Sequence, residues 1–285
     1  MTESRAASAL CIHDLSGVGR CSLSVILPVL SVCGVQACAL PTALLSTHTG
    51  GLGTPARTDE FGFACAALEH YETLRLSFDC VYSGYLAAPA CAALVRRAHS
   101  VFAKAWKVID PVLGDGGKLY RFVTNELIEA MRELCLSASV ITPNVTESAV
   151  LLGLAPHDGP MTSEQAKKRM QALRGEFGCD VVLTGIRLET GGRANGLLWG
   201  TGEPQVYVYE EEGGHCPGSG DLFAAAFTGL ILQGNAAEKA LCHAAEFVRR
   251  AVASAEKADA DPRFGALFER HLPYLAALDD AQLNQ

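Results

Sequence analysis

The sequence predicts an α/β protein: a three-layer α/β/α fold with a mostly parallel central sheet. Short apolar runs alternate with stretches at helical spacing along most of the chain. The strand-like runs are apolar on both faces, as strands covered by helices on two sides are. The hydrophobic fraction is 49% against 19% charged over 285 residues, enough for several helices packed on one sheet. No Pro/Gly/Ser-rich linker, charge block or composition shift divides the chain, so residues 1–285 read as one domain.

In chain order, strands are expected at 9–13, 35–40, 80–83, 108–110, 139–142 and 181–184. Helices are expected between them, at about 22–33, 58–74, 88–105, 124–136, 146–152 and 163–177. Near 194–209 the rhythm changes. Runs at 196–199 and 205–209 flank Gly200-Thr201-Gly202-Glu203-Pro204, which reads as a β-hairpin with a longer loop. Two helices follow, at about 220–233 and 236–254, and the C-terminal stretch suits one or two peripheral helices.

Composition excludes several classes. The formal net charge is −8 and there is no basic stripe, so no nucleic-acid partner is expected. No polybasic segment suggests a lipid surface. The first residues lack a basic stretch followed by a long apolar core, so no signal peptide is expected. Residues 21–56 carry no Asp, Glu, Lys or Arg, but Pro28, Gly34, Gln36 and Pro41 interrupt them. They read as a buried helix, a strand and a loop, with no membrane span. The 11 cysteines show no CxxC pair and no zinc-type spacing, which suits reduced, buried thiols in a cytoplasmic protein.

In open parallel sheets, ligands gather beyond the carboxyl ends of the strands. Asp14, Thr49, Tyr85, Asp110, Asn144, Glu147 and Thr184 follow expected strands and are the polar groups to inspect. The strongest signal is Pro217-Gly218-Ser219-Gly220-Asp221, followed by apolar residues at 222, 223, 226, 227, 230 and 231. The glycine turn therefore heads a buried helix. N–H groups there lack intrahelical partners, and the helix dipole adds positive potential. Such a turn can hold a phosphate or the charge that develops during its transfer.

Asp221 could simply be a first-turn acid that suits the dipole. Two further motifs favour chemistry: Asp110-Pro111-Val112-Leu113-Gly114-Asp115 and Thr142-Pro143-Asn144-Val145-Thr146-Glu147. Each sets acidic or amide groups directly after a strand. Mg²⁺ needs a few carboxylates plus substrate phosphates and water, and Asp110, Asn144 and Glu147 can supply the protein's share. His48, within Ser46–Thr49, reads as a site residue. His215 can contact a ligand at the turn or cap it. Cys216 is given no catalytic role, and Tyr207 and Tyr209 have strand spacing and read as packing. Gly17-Val18-Gly19 lacks the full dinucleotide-binding pattern.

PGSGD ahead of an apolar helix resembles the anion-hole motif of the ribokinase-like superfamily. DPVLGD and TPNVTE are similar to motifs of its vitamin-kinase branch, the pyridoxal and hydroxymethylpyrimidine kinases. His13-Asp14-Leu15-Ser16-Gly17-Val18-Gly19-Arg20-Cys21-Ser22 and Ser46-Thr47-His48-Thr49-Gly50 fit that branch too. The resemblance implies a kinase that uses ATP and Mg²⁺, with a stimulating monovalent cation such as K⁺, a small lid or none, and a cytoplasmic homodimer.

Residue by residue, it implies that Asp221 is the general base and that the backbone of Gly218, Ser219 and Gly220 forms the anion hole. Asp110, Asn144 and Glu147 would lie around Mg²⁺ and the ATP phosphates, with Asp110 and Glu147 as metal residues. Thr184 would bond a β-phosphate, and Tyr120 would lie near the nucleotide phosphates. Asp14, His48, Thr49 and Tyr85 would contact the substrate ring. The implied acceptor is the 5′-hydroxymethyl of pyridoxal, pyridoxine or pyridoxamine. Hydroxymethylpyrimidine is the alternative, because an aspartate at position 14 is more like the kinases of that substrate. Ser46–Thr49 and Ser83-Gly84-Tyr85 point back to pyridoxal, since an aromatic ring can stack on a pyridine. Two other classes compete: a nicotinamide oxidoreductase, which gives no account of PGSGD, and a non-catalytic vitamer-binding protein, against which Asp221 argues.

Overall fold

The computed structural model describes residues 5–210, 214 and 216–283. Two compact units divide the chain. One comprises Met1–Val81 with Glu212–Gln285, the other Tyr82–Glu211.

The first unit opens with strand β1 (Ser8–Val18), helix α1 (Leu23–Val32), strands β2 (Gln36–Thr47) and β3 (Arg57–Asp59), helix α2 (Phe61–Thr73) and the start of β4 (Cys80–Ser83). Ala9, Leu10, Cys11 and Ile12 are fully buried, as the doubly apolar run requires. β1 pairs with β2 in parallel from Ser8↔Gln36 to Val18↔Thr47, and the register shifts between His13 and Asp14. That bulge explains two departures from expectation. β1 continues past 13 and β2 past 40, because the ladder restarts in a new register beyond the extra residue. Asp14 therefore lies inside β1, and Ser46 and Thr47 lie in β2, where a loop was expected. β3 takes the residues expected to open the helix at 58, pairing antiparallel with β2.

The second unit holds helix α3 (Pro89–Val101), strands β5 (Trp106–Ile109), β6 (Gly114–Asp115) and β7 (Lys118–Leu119), helix α4 (Asn125–Cys135), strand β8 (Val140–Ile141), helices α5 (Val145–Leu151) and α6 (Ser163–Phe177), and strands β9 (Asp180–Arg187), β10 (Arg193–Leu198) and β11 (Gln205–Tyr209). Helix α6 has the bounds that the sequence predicts, and its ends explain why. Thr162 and Gln165 form a reciprocal capping box, and Gly178 closes the helix in the left-handed region at φ 70°. β6 and β7 form a separate hairpin that was not expected; Gly116 and Gly117, at φ 58° and 74°, make its turn.

The first unit resumes with helices α7 (Ser219–Leu232) and α8 (Ala237–Lys257), two 3₁₀ turns (Pro262–Phe264 and Glu269–His271) and helix α9 (Leu272–Leu283). The main sheet has the strand order β11-β10-β9-β8-β5-β4-β1-β2-β3. β1–β2, β5–β8 and β8–β9 are parallel, whereas β2–β3, β9–β10 and β10–β11 are antiparallel. The expected α/β class with a mostly parallel sheet is thus the one observed. Among the described residues, no helix is long and apolar enough to cross a membrane.

Candidate active site

In the first unit the site is built on the head of α7. Gly218 stands before the helix at φ 78°, and a Cβ there would overlap the carbonyl oxygen of Arg20. Both facts require glycine. The Ser219 N–H donates to the Cys216 carbonyl at 3.3 Å, and the Leu222 N–H to the Gly218 carbonyl at 3.0 Å. The N–H groups of Gly220 and Asp221 have no protein acceptor among the described residues. Of the three amides expected at 218–220, only that of Ser219 has a protein acceptor among the described residues. The Ser219 amide closes the turn, and the amides left for an anion include that of Asp221 itself. His215 lies outside the described residues.

The Asp221 carboxylate is fixed from two sides. Oδ2 accepts the Ser22 N–H at 2.7 Å, and Oδ1 lies 3.3 Å from Nε2 of His13. Ser22 adopts φ 56° and ψ −147°, a conformation that is costly for any residue but glycine. That conformation places its N–H against Asp221.

On the other side of the imidazole, Nδ1 lies 2.8 Å from Oδ1 of Asp14, and the Ser16 hydroxyl donates to Oδ2 of Asp14 at 3.0 Å. Burial alone would depress the His13 pKa, but hydrogen bonds to Asp14 and Asp221 outweigh it and raise it to about 10. The raised pKa favours an imidazolium between the two carboxylates, while the Asp14 N–H also points at Nδ1, at 3.0 Å. Burial would raise the Asp14 carboxyl, yet His13, Ser22 and Ser16 hold it below the usual carboxylate range. Burial, with Asp221 and Asp14 nearby, pushes the Cys21 thiol up to about 12.

The sequence motifs assign no role to His13. The available signal was its position: a histidine closing a fully buried apolar run must find partners. Asp14, expected to meet the substrate ring, is buried and has both carboxylate oxygens bound by neighbouring side chains. His48 is also bound at both nitrogens. The Gly50 N–H donates to Nδ1 at 3.0 Å, so Nε2 carries the proton and donates to the Arg263 carbonyl at 2.6 Å. Thr49 is partly exposed just beyond β2.

The second unit holds the other expected residues. Asp110 follows β5, is buried, and donates its N–H to the Ser83 carbonyl at 2.8 Å. Asn144 and Glu147 form a capping box at the head of α5. Oδ1 of Asn144 accepts the Glu147 N–H at 2.9 Å, and Oε2 of Glu147 accepts the Asn144 N–H at 2.9 Å. The second Glu147 oxygen accepts the Leu113 N–H at 3.1 Å, and the Asn144 amide donates to the Gly114 carbonyl at 2.9 Å. Asn144 thus ties the β6–β7 hairpin to α5. Thr184 lies within β9, where it bridges to Asn144 and its N–H donates to the Pro143 carbonyl at 2.9 Å; it was expected beyond a strand end. Tyr120 follows β7 and is 39% exposed, and Tyr85 follows β4 and is partly exposed.

Burial, and then the charge of Asp110, push the Glu147 carboxyl well above the usual carboxylate range. Two buried acids that raise each other's cost suit a divalent cation. Among the described residues no group of three or more His, Cys, Asp and Glu forms an all-protein cage. The pair Asp110 and Glu147 fits the protein share of a Mg²⁺ site, since that ion takes one or two carboxylates and completes its shell with water and phosphates.

The profile of the family described as phosphomethylpyrimidine kinase matches residues 27–263. The chain is 32% identical to the crystal structure of pyridoxal kinase from Lactobacillus plantarum, covering 98% of this chain and 99% of that one at a TM-score of 0.86. A Bacteroides thetaiotaomicron crystal structure described as a phosphomethylpyrimidine kinase, with pyridoxal, is also 32% identical, covering 95% and 96% at a TM-score of 0.88. Pyridoxal kinase of Arabidopsis thaliana is 27% identical over 84% of this chain and 80% of its own length. Against two Schizosaccharomyces pombe relatives the match spans only 41% and 57% of their length. Family match and relatives agree: the chain belongs to the phosphomethylpyrimidine kinase family of the ribokinase-like superfamily.

Proposed function

We propose that the chain is an ATP-dependent kinase that phosphorylates the 5′-hydroxymethyl of pyridoxal, pyridoxine or pyridoxamine. One observation carries the reading. At the head of α7 a carboxylate is held by Ser22 and His13, beside two N–H groups with no protein acceptor. Phosphoryl transfer is mainly a matter of positioning and charge stabilisation. In this reading Asp221 accepts the proton of the attacking hydroxyl, and the amides of Gly220 and Asp221 receive the charge that builds on the moving phosphoryl group. Asp110 and Glu147 would hold Mg²⁺, directly or through water. When bound, the ion would neutralise charge on the β- and γ-phosphates. Tyr120 and Thr184 are proposed near the phosphates, Thr49 and Tyr85 near the acceptor ring.

A monovalent cation such as K⁺, a cytoplasmic location and a homodimer belong to the same proposal. The free thiols suit a reducing compartment, and Leu15, Val18, Leu44 and Phe63, exposed in the first unit, suit a second copy. The family description supports a second reading, a hydroxymethylpyrimidine kinase.

A panel assay separates the two readings. ADP release is followed with pyridoxal, pyridoxine, pyridoxamine and hydroxymethylpyrimidine, with and without Mg²⁺. The highest kcat/KM is expected with a pyridine vitamer and Mg²⁺. Preference for hydroxymethylpyrimidine would reassign the substrate, and no ADP release with any acceptor would overturn the kinase reading.

A further inference from the structure

We propose that His13 and Asp14 are positioning residues: the buried chain Asp14–His13–Asp221 holds the proton-accepting carboxylate, and Asp14 acts through His13 and not on the acceptor ring. The proposal rests on the reading of Asp221 as the base.

The order of the three groups is the argument. The Asp221 side chain is 11% exposed, His13 2% and Asp14 6%. His13 has its two nitrogens aimed at two different carboxylates, at 2.8 and 3.3 Å. Asp14 has one oxygen on His13 and the other on Ser16. An acceptor hydroxyl can therefore deliver a proton to Asp221, while Asp14 serves the far side of the imidazole. This is the arrangement of an acting group, an imidazole and an orienting acid, run with the carboxylate as the acting group.

The charges explain why the far acid is needed. Two carboxylates and one imidazolium sum to one negative charge. As transfer proceeds, the acceptor O–H bond breaks, its oxygen bonds to the γ-phosphorus, and the bond from that phosphorus to the ADP oxygen breaks. The proton goes to Asp221, and the chain becomes neutral. The imidazolium then keeps Asp14 as its counter-charge. Without Asp14 it would face a protonated acid as an uncompensated buried cation, which is strongly unfavourable. The chain is also faced by Ser16, Ser22, Cys21 and the Asp14 N–H, which lies 3.0 Å from Nδ1 of His13; the Cys21 thiol stays neutral.

The test compares Asp14→Asn, His13→Gln and their double variant in steady-state assays at saturating ATP. In parallel, ¹⁵N NMR of histidine-labelled protein reads the His13 ring nitrogens. Each single variant is expected to lower kcat about 10–100-fold, the usual cost of removing a group that orients an acting residue. The acceptor KM should stay within about twofold. The double variant should lose little more than the worse single one, as members of one chain do. Both His13 nitrogens should read as protonated at pH 8 in the wild type. A neutral His13 at that pH, additive losses, or Asp14→Asn raising KM tenfold at unchanged kcat would overturn the proposal. If His13→Gln does not fold, Asp14→Asn and the wild-type spectrum still decide. Asp221→Asn is the control for the underlying reading. Wild-type turnover in that variant would remove Asp221 as the base whatever His13 does, whereas lost turnover beside a neutral His13 would reject only the positioning chain.

Discussion

The two compact units each bury a pair of acids, and they solve the problem in opposite ways. In the first unit Asp14 and Asp221 flank His13, whose raised pKa favours a cation between the two acids. In the second, Glu147 lies near Asp110 and Asp115, and the groups that oppose its protonation are the backbone N–H groups of Asn144 and Leu113. The first pair is finished by its own chain, with the Asp221 carboxylate held by Ser22 and His13. The second still favours the arrival of positive charge, as a metal–phosphate site should. The lesson is that burial and acid count do not distinguish a base from a metal site; the identity of the third group does.

Three changes break or sharpen this contrast. The largest effect is expected from Gly218→Ala. A side chain at φ 78° that also overlaps the Arg20 carbonyl should destabilise the fold by about 1–3 kcal/mol and disorder the head of α7. Denaturant melts and turnover should fall together; a variant with wild-type stability would mean the turn tolerates another shape. Next is Asp110→Asn. Removing one of two like charges should relieve Glu147, and about 1 kcal/mol corresponds to roughly 2–4 °C in Tm. Mg²⁺ with ATP should raise the wild-type Tm and leave that of the variant nearly unmoved. Equal Mg²⁺ effects on both would remove Asp110 from the metal site.

The smallest effect concerns alkaline pH. The folded-state pKa of His13, about 10, exceeds its ordinary value of 6.5. The stability it contributes is fully present below 6.5 and is lost as pH rises through about 10. Glu147 also has a raised folded-state pKa, so its cost grows as pH rises above its ordinary 4.5. Unfolding free energy measured from pH 7 to 10 should therefore fall in the wild type and fall less steeply in His13→Gln. Parallel slopes would contradict a charged His13.

Local signals made much of this fold legible. The strand at 80–83 and the helix at 163–177 were bounded by apolar runs, a capping box and a left-handed glycine, all within a few residues of one another. The extensions of β1 and β2 were not legible, because a bulge at His13/Asp14 resets a ladder between residues far apart in sequence. The Gly116-Gly117 hairpin carried a readable turn signal, but its two-residue strands were too short to show a period. The motifs singled out Asp221 in the first unit and Asp110 and Glu147 in the second. They could not reveal that His48 meets the Arg263 carbonyl or that His13 meets Asp221, since these partners are distant in sequence and only folding brings them near.

The most direct test of the central claim is transfer of the ATP γ-phosphate to pyridoxal by Asp221→Ala, with nucleotide affinity measured on the same preparation. Loss of a positioned base predicts a kcat lower by about 10²–10⁴-fold with ATP affinity within about twofold of wild type. Transfer at the wild-type rate would contradict the account.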